Sequence, residues 1–289
     1  MLILIATPIG NLEDLSERAR AALASCDCLC CEDTRHTGLL LQALKIPPPR
    51  LISLHKFNEA HRENTLIALL QSGKIVGLVS DAGMPAIADP GAALVERCHR
   101  EGLPVTAIPG PCAFATAYAL SGALCERMQF LGFLPKKRLE RKKALAQIAQ
   151  YEGATVVYES PSRLQETVAC AAALDGSWEM VLVRELTKVH EEVVRLPAKE
   201  LAAKLGQREI KGECSLVFLP CKKKEKPSDE QLLCEIQAAQ KAGKCSMKEA
   251  IEVVAGQYRL SRRELYRLAG LPRTRRRRGV RCRAIPSTH

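Results

Sequence analysis

The chain has 289 residues, which exceeds the usual size of one domain and favours two. Its hydrophobic share of 47% is ample for a buried core, and no apolar run approaches the roughly 18 residues that a membrane-spanning helix needs. The net charge is +11, and residues 272–289 hold seven arginines and no acidic residue. Because the N-terminus also lacks the features of a secretory signal, we predict a cytoplasmic protein with reduced cysteines.

Short apolar runs alternate with helical patterns in the first part of the chain. Strands are predicted at LILIA (2–6), CLCCE (28–32), RLISLH (50–55), KIVGLVS (74–80) and PVTAIP (104–109). Helical patterns separate them, at SERARAALASC, RHTGLLLQAL, EAHRENTLIALLQSG and GAALVERCHREG. This alternation predicts an α/β domain over residues 1–115, with a mostly parallel sheet covered by helices on both faces.

The second part of the chain has strands that follow one another more closely. After the helical stretch CAFATAYALSG, strands are predicted at FLGF (130–133), ATVVYES (154–160), EMVLVREL (179–186), EEVVRL (191–196) and ECSLVFLP (213–220). Helices are predicted at PKKRLERKKALAQIAQYEG and PSRLQETVACAAAL. We therefore predict a second α/β domain over residues 116–221, with a mixed sheet.

Residues 222–271 are predicted to form a charged linker, KKKEK (222–226), and a small helical extension. Ser228 and Gln231 fit a capping box that opens a helix. The run SMKEAIEVVAGQYRLSRRELYRLA predicts two more short helices joined near Leu260, which fits either a helix-turn-helix or an ordinary helical bundle. The basic residues 272–289 have no hydrophobic period and are predicted to be disordered.

The 13 cysteines could indicate disulfides or a metal site. Cys28 and Cys31 form a C-x-x-C pair, but they lie in an apolar strand, and no second pair follows at zinc spacing. We therefore predict small core residues and no metal site.

Four loops that follow predicted strands mix glycine and proline with small polar residues. They are TPIGN (7–11), EDTRH (32–36), SDAGMPAIADPG (80–91) and GPCA (110–113). In an open α/β sheet, ligands bind beyond the carboxyl ends of the strands, so these loops predict a small-ligand site. The chain lacks G-x-G-x-x-G after the first strand, a Walker motif, H-E-x-x-H and G-x-S-x-G, which argues against dinucleotide, Walker-type, zincin and serine-hydrolase sites.

An ordered set of motifs identifies a family. TPIGNL, CEDTRHT (31–37), SDAGMPAIADPG, PGPCA, VYESPSRL (157–164) and VRELTKVHEE (183–192) occur together and in this order. The set resembles the ribosomal RNA small subunit methyltransferase I family of the tetrapyrrole-methylase superfamily. The likeness runs from about Leu2 to Leu219, extends into the last helices and ends after Gly270.

The resemblance implies two α/β domains with S-adenosylmethionine in the cleft between them, working as a homodimer. It implies methylation of a ribose 2′-hydroxyl on a cytidine near the decoding centre, with small-subunit ribosomal RNA or the assembled small subunit as the partner. The cofactor contacts that it implies are Gly10, Asp81, Met84, Ile87, Cys112, Ala113, Tyr158, Leu186 and Gly212. Departures from the family pattern occur at Met84, where threonine is usual, at Cys112, where serine is usual, and at Ser162, where histidine is common.

Candidates for catalysis lie in EDTRH. Glu32 or Asp33 would act as a base or an orienting group, Arg35 would anchor a phosphate, and His36 is an alternative base. Asp33 fits an N-cap of the next helix equally well. His36 and His55 each follow a strand, and either could face the cleft or be a structural histidine.

Two other functions remain open from the sequence. A tetrapyrrole methyltransferase would share the fold, and a non-catalytic RNA-binding protein would share the charge. Basic clusters at 135–143 and 222–226 and the arginine-rich tail favour a polyanionic partner over a small macrocycle, and the glycine-rich loops favour an enzyme over a pure binding protein.

Overall fold

The computed structural model describes residues 1–206, 208–221, 228–243, 246–258 and 261–270. The chain divides into two compact units, residues 1–221 and 222–289. The first unit contains both sheets of the described chain, and the described part of the second unit is helical. In the described part of the chain, no helix has the length and hydropathy of a membrane span.

The first sheet is formed by the five strands predicted in the first part of the chain. They are β1 (Leu2–Ile5), β2 (Cys28–Cys31), β3 (Arg50–Ser53), β4 (Val76–Leu78) and β5 (Val105–Ile108). Their order is β3-β2-β4-β1-β5, and every pair is parallel. The crossovers contain α1 (Glu17–Ser25), α2 (Thr34–Ala43), α3 (Glu59–Gln71) and α4 (Ala92–Arg100). The predicted parallel sheet is confirmed.

Both faces of this sheet are buried, as helices on each side require. On one face, Cys28 and Cys30 pack with Leu66 of α3 and its neighbours. On the other face, Leu29 and Cys31 pack with apolar residues of α1 and α2. The prediction that the cysteines of β2 are core residues is therefore confirmed.

The second sheet is mixed, as predicted. Its strands are β6 (Met128–Phe133), β7 (Ala154–Glu159), β8 (Glu179–Arg184), β9 (Glu192–Pro197) and β10 (Cys214–Phe218). The order is β6-β7-β10-β8-β9, in which only β6 and β7 are parallel. The helices of this region are α5 (Ala113–Ser121), α6 (Arg138–Ile148), α7 (Pro161–Leu174) and α8 (Ala198–Leu205). The boundary predicted at residue 115 falls inside α5, which packs against β7 and β10.

Helix α8 was not predicted. It begins directly after β9, in a segment for which no element was predicted from the sequence. It buries Ala198, Leu201 and Leu205, whose spacing of three and then four residues is the helical signal that the sequence does contain.

The second unit contains α9 (Asp229–Gly243), α10 (Met247–Tyr258) and α11 (Arg262–Leu268). The predicted capping box is present, because the amide of Gln231 donates to the hydroxyl of Ser228 at 3.2 Å and the amide of Ser228 donates to the Gln231 side chain at 3.0 Å. Apolar residues of all three helices form one small core. The predicted linker 222–226, the junction at Leu260 and the tail 272–289 lie outside the described residues.

Candidate functional site

Two loops that follow parallel strands are tied together at one edge of the first sheet. Thr7 follows β1 and is fully buried, and its amide donates to the carbonyl of Gly83 at 3.0 Å. The amide of Gly83 donates back to Thr7 at 3.1 Å, and the Thr7 hydroxyl donates to the carbonyl of Ser80 at 3.1 Å. Gly83 has φ of +83°, a left-handed conformation that favours glycine. The loops 7–11 and 80–91 therefore form one wall of a cleft.

The other wall comes from the second sheet. Gly212 precedes β10 with φ of +86°, and a Cβ atom on it would overlap the carboxylate of Glu185. That carboxylate accepts hydrogen bonds from the ammonium of Lys188 and from the amide of Glu213, each at 2.9 Å. The hydrogen bond from Lys188, and next that from the amide of Glu213, lower the pKa of Glu185. Gly212 thus leaves room for the network that positions residues 185–188.

Gly10 brings the two walls into contact. A Cβ atom on it would lie 2.5 Å from Cγ of Lys188 and 2.8 Å from Oγ1 of Thr187. Real Cβ atoms do not approach other atoms so closely, so any larger residue would push the walls apart. This close approach is the physical reason for a glycine in TPIGN.

A cavity of about 420 Å³, which we name the first cavity, lies between the walls. Eight of the nine predicted cofactor-binding residues line it, namely Asp81, Met84, Ile87, Cys112, Ala113, Tyr158, Leu186 and Gly212. Gly10 does not line this cavity but a neighbouring one. The structure thus brings together residues from five separate segments of the chain.

Tyr158 and Asp89 are half-buried groups of the first cavity. The amide of Phe114, in the first turn of α5, donates to the Tyr158 hydroxyl at 3.2 Å, and the Tyr158 ring contacts that of Phe133 edge-on at 5.7 Å. Burial raises the pKa of Tyr158 to about 12, so its hydroxyl is protonated at neutral pH. Burial, and next the charge of Asp81, raises the pKa of Asp89.

The three departures from the family pattern lie at different places. Met84 and Cys112 both line the first cavity. Cys112 is the N-cap residue of α5, and its side chain makes no capping hydrogen bond. Ser162 lines neither cavity and lies 3.3 Å, Oγ to Oγ, from Ser160.

A second cavity, of about 440 Å³, adjoins the first. Four residues line both cavities, namely Ile9, Asp81, Ala82 and Glu213. Gly10, His36 and Lys188 line the second cavity and not the first. Asp81 therefore stands at the junction of two adjacent spaces.

The predicted catalytic residues are only partly brought to these cavities. His36 lines the second cavity, with its Nδ1 atom 3.7 Å from Oδ1 of Asp81. Glu32, Asp33 and Arg35 line neither cavity, although the amide of Asp33 donates to Oδ1 of Asp81 at 3.2 Å. The EDTRH segment is therefore connected to the cleft through Asp81. His55 accepts a hydrogen bond at Nδ1 from its own loop, at 3.3 Å.

Asp33 is the N-cap of α2, as one interpretation of the sequence predicted. Its Oδ1 atom accepts the amide of Arg35 at 2.8 Å, and its Oδ2 atom accepts from the Arg35 guanidinium at 2.6 Å. These hydrogen bonds hold the pKa of Asp33 well below its usual range. Burial, followed by the charges of Asp89 and Asp81, instead raises the pKa of Glu32. Glu32 is therefore the better proton acceptor of the two carboxylates.

We expect Asp33→Ala to lower the urea midpoint of unfolding, because α2 loses its capping acceptor. Asp33→Asn keeps a side-chain oxygen as the acceptor, so it should change the midpoint little. If capping is the main role of Asp33, the asparagine variant should retain methyl-transfer turnover. Urea titrations and turnover assays of both variants test this. A tenfold or larger loss of turnover in a normally stable Asp33→Asn would instead assign its charge to the chemistry.

Several charged or aromatic residues that line the cavities were not proposed from the sequence. Asp89 lies in the SDAGMPAIADPG loop and could have been proposed with Asp81. Phe133 is the last residue of β6, and the sequence did predict a strand that ends there. Lys188 and Glu213 reach the site only because residues 185–188 cross the end of β10, and no local pattern marks that arrangement.

Within the described residues, no group of three or more histidine, cysteine or acidic side chains is placed to hold a metal ion. Cys28 and Cys31 of the C-x-x-C pair are both buried, and burial raises the pKa of each thiol. High thiol pKa values are typical of inert core cysteines.

The chain matches a known family and known proteins in sequence. Residues 1–202 match the family of tetrapyrrole (corrin/porphyrin) methylases. The chain is 39% identical over 268 residues to the ribosomal RNA small subunit methyltransferase I of Streptococcus pyogenes serotype M3, which covers 92% of this chain and 93% of that protein. It is also 39% identical over 272 residues to the protein of the same name from a Synechocystis species, covering 93% and 97% of the two chains.

The fold also occurs in solved structures. One is the uroporphyrin-III C-methyltransferase of Thermus thermophilus in complex with S-adenosylhomocysteine, with a TM-score of 0.53 at 18% identity over 75% of this chain and 96% of that one. This likeness shows that the two proteins share a fold. From the sequence identity and its coverage, the chain belongs to the ribosomal RNA small subunit methyltransferase I family, within the tetrapyrrole methylases.

Proposed function

We propose that this chain transfers a methyl group from S-adenosylmethionine to the 2′-hydroxyl of a cytidine ribose in small-subunit (16S) ribosomal RNA. The observation that carries the proposal is the convergence of eight expected cofactor residues on one cavity of about 420 Å³. The names of the relatives supply the RNA class of the substrate. The 2′-hydroxyl of a cytidine comes from the family resemblance of the motifs.

The first cavity fits S-adenosylmethionine in size and chemistry. Its volume lies within the roughly 300–1,000 Å³ that is usual for small-molecule sites. Ile87 and Leu186 offer apolar contacts, and Asp81 and Glu213 offer carboxylates to hydroxyl and amino groups. Bound there, S-adenosylmethionine supplies a methyl group that is already activated as a sulfonium. The protein then has mainly to align the acceptor, a task that can contribute about 7–11 kcal/mol.

The acceptor hydroxyl must also lose its proton. A positioned base contributes about 10²–10⁴-fold to such a step. The two candidates are His36, which lines the second cavity, and Glu32, whose pKa is raised but which lines neither cavity. Asp33 then orients the start of α2, and Arg35, with a side chain that is 88% exposed, is available to a phosphate.

The basic run 135–143 supports RNA over a small macrocycle as the substrate. Its lysines and Arg138 are exposed, whereas Arg141 is buried, donates to the carbonyl of Lys136 at 3.1 Å and pairs with Glu166. Arg141 thus fixes the segment that carries the exposed charges. Phe133, just before this run, lines the first cavity, so the positive charge begins near the site. A phosphate backbone is the partner that such a cluster attracts most strongly.

Two further parts of the proposal concern the protein as a whole. The family resemblance predicts a homodimer, which sedimentation of the full chain can test. The proposed substrate also predicts a cytoplasmic location, where ribosomal subunits are assembled. Helix-turn-helix readout by α10 and α11 stays a prediction.

The proposal is tested by offering the purified chain radiolabelled S-adenosylmethionine and three acceptors. These are undermethylated small ribosomal subunits, naked small-subunit RNA and a precorrin-type tetrapyrrole. We expect label in one or both ribosomal acceptors and none in the tetrapyrrole. Label in the tetrapyrrole alone would support the rival methyltransferase, and RNA binding without any label would support a non-catalytic protein.

A further inference from the structure

Helix α2 has an apolar face that the core covers only in part, since Leu40 packs against the core while Leu39 and Ala43 are exposed. Thr37 and Leu41 on one side of the helix are buried, and Thr37 also reaches the second cavity. On another side, His36, Leu39, Leu40 and Ala43 line the second cavity. Their spacing of three, one and three residues places them along one face of the helix. Leu39 remains 63% exposed, so this stripe faces open space.

The second cavity has different chemistry along its length. The part along α2 is mainly aliphatic, with Thr37 and His36 as its polar residues, and Leu12 adds another exposed leucine to it. The part that meets the first cavity carries Asp81 and Glu213, and Lys188 donates to Glu213 at 2.9 Å. The space therefore passes from an aliphatic surface to hydrogen-bonding groups.

We propose that the second cavity receives the nucleoside that is methylated, with its base against the apolar face of α2 and its ribose at Asp81. This inference rests on the proposed function and adds the place where the acceptor binds. A methyl acceptor must occupy space that opens directly onto the donor site, and the four shared lining residues provide that opening. A nucleoside also has the required polarity, because the flat face of its base carries no hydrogen-bonding group, whereas its ribose carries hydroxyls.

The volume and the polar end favour a nucleoside over a second copy of the chain as the occupant. About 440 Å³ is typical of a small-molecule pocket, whereas protein interfaces bury broad surfaces. A protein partner would also have to cover the charged groups at Asp81 and Glu213, which a ribose can hydrogen-bond.

The test fills the apolar part of the cavity in the full-length protein. Leu39→Trp and Ala43→Trp both enlarge exposed positions of α2, so the fold should tolerate them. Leu174→Trp, at the exposed end of α7 and outside both cavities, is the matched control. The measurements are the Kd of S-adenosylmethionine by calorimetry, kcat and KM with undermethylated small subunits, and the mass by sedimentation.

We expect both α2 variants to lose at least about tenfold in kcat/KM for the subunits, with the Kd of S-adenosylmethionine within about twofold of wild type and an unchanged mass. The control should match wild type. Normal kcat/KM in both α2 variants would overturn the nucleoside pocket and leave the proposed function standing. Weaker binding of S-adenosylmethionine in the α2 variants would assign the second cavity to the cofactor. A changed mass would assign it to an interface with a second copy of the chain. A wild-type protein that methylates no RNA would remove the proposed function, and the pocket with it.

Discussion

Gly212→Ala is expected to weaken the binding of S-adenosylmethionine at least tenfold, which corresponds to about 1.4 kcal/mol. Two effects combine at this position. Its φ of +86° costs a residue with a Cβ atom roughly 1–2 kcal/mol, and the Cβ atom itself would overlap the carboxylate of Glu185. That carboxylate holds Lys188 and the amide of Glu213, so its displacement would alter the wall of the first cavity. Calorimetric titration with the cofactor measures the loss.

Gly73→Ala is the matched control for this prediction. Gly73 has nearly the same φ, +83°, but a Cβ atom on it would meet no other atom within 4 Å. Gly73→Ala should therefore show the conformational cost as a lower unfolding midpoint while cofactor binding stays normal. If Gly212→Ala binds the cofactor as tightly as Gly73→Ala does, the network around Glu185 does not shape the site.

Asp81→Asn is expected to lower turnover at least about 100-fold, the scale of loss that misplacing reactants by 1 Å can cause. Asp81 lines both cavities, accepts the amide of Asp33 at 3.2 Å and lies beside His36. Asparagine retains an oxygen for the amide of Asp33, so the loops should keep their places. The charge that faces both cavities is lost. Single-turnover methylation of small subunits at saturating cofactor measures the effect.

Asp27→Asn provides the comparison for Asp81. Asp27 also accepts a backbone amide, that of Ile75 at 2.8 Å, and it pairs with Lys74 at 2.9 Å. It precedes β2, however, and therefore lies at the opposite edge of the sheet from the cavities. Its substitution should leave turnover unchanged. Equal turnover in the two variants would exclude Asp81 from the chemistry and from substrate positioning.

The strands of both sheets were predictable because each is a short apolar run with turn residues nearby. CLCC is buried at every position, as a central parallel strand requires. The glycine- and proline-rich loops were predictable for a similar reason, since 7–11 and 80–91 must make tight turns where parallel strands end. The sequence alone predicted a ligand site at this edge of the sheet, and the resemblance then named eight of the residues that line the first cavity.

What the sequence could not show depends on contacts between distant segments. Lys188 and Glu213 reach the cleft only through the antiparallel pairing of β8 and β10. The second cavity needs the orientation of α2 relative to Asp81, which no periodicity reveals. The motif EDTRH likewise did not decide whether Asp33 is the N-cap of a helix or a catalytic base. Its hydrogen bonds to Arg35 show that it is the N-cap.

The central claim is that this chain methylates a ribose hydroxyl of small-subunit RNA, and mapping the product tests it most directly. Undermethylated small subunits would be labelled with radioactive S-adenosylmethionine, and their RNA would be hydrolysed with alkali. A 2′-O-methyl group blocks cleavage at its own nucleotide, so we predict that all the label resides in one alkali-resistant dinucleotide that begins with cytidine. Label in alkali-sensitive mononucleotides would place the methyl group on a base and contradict the assignment.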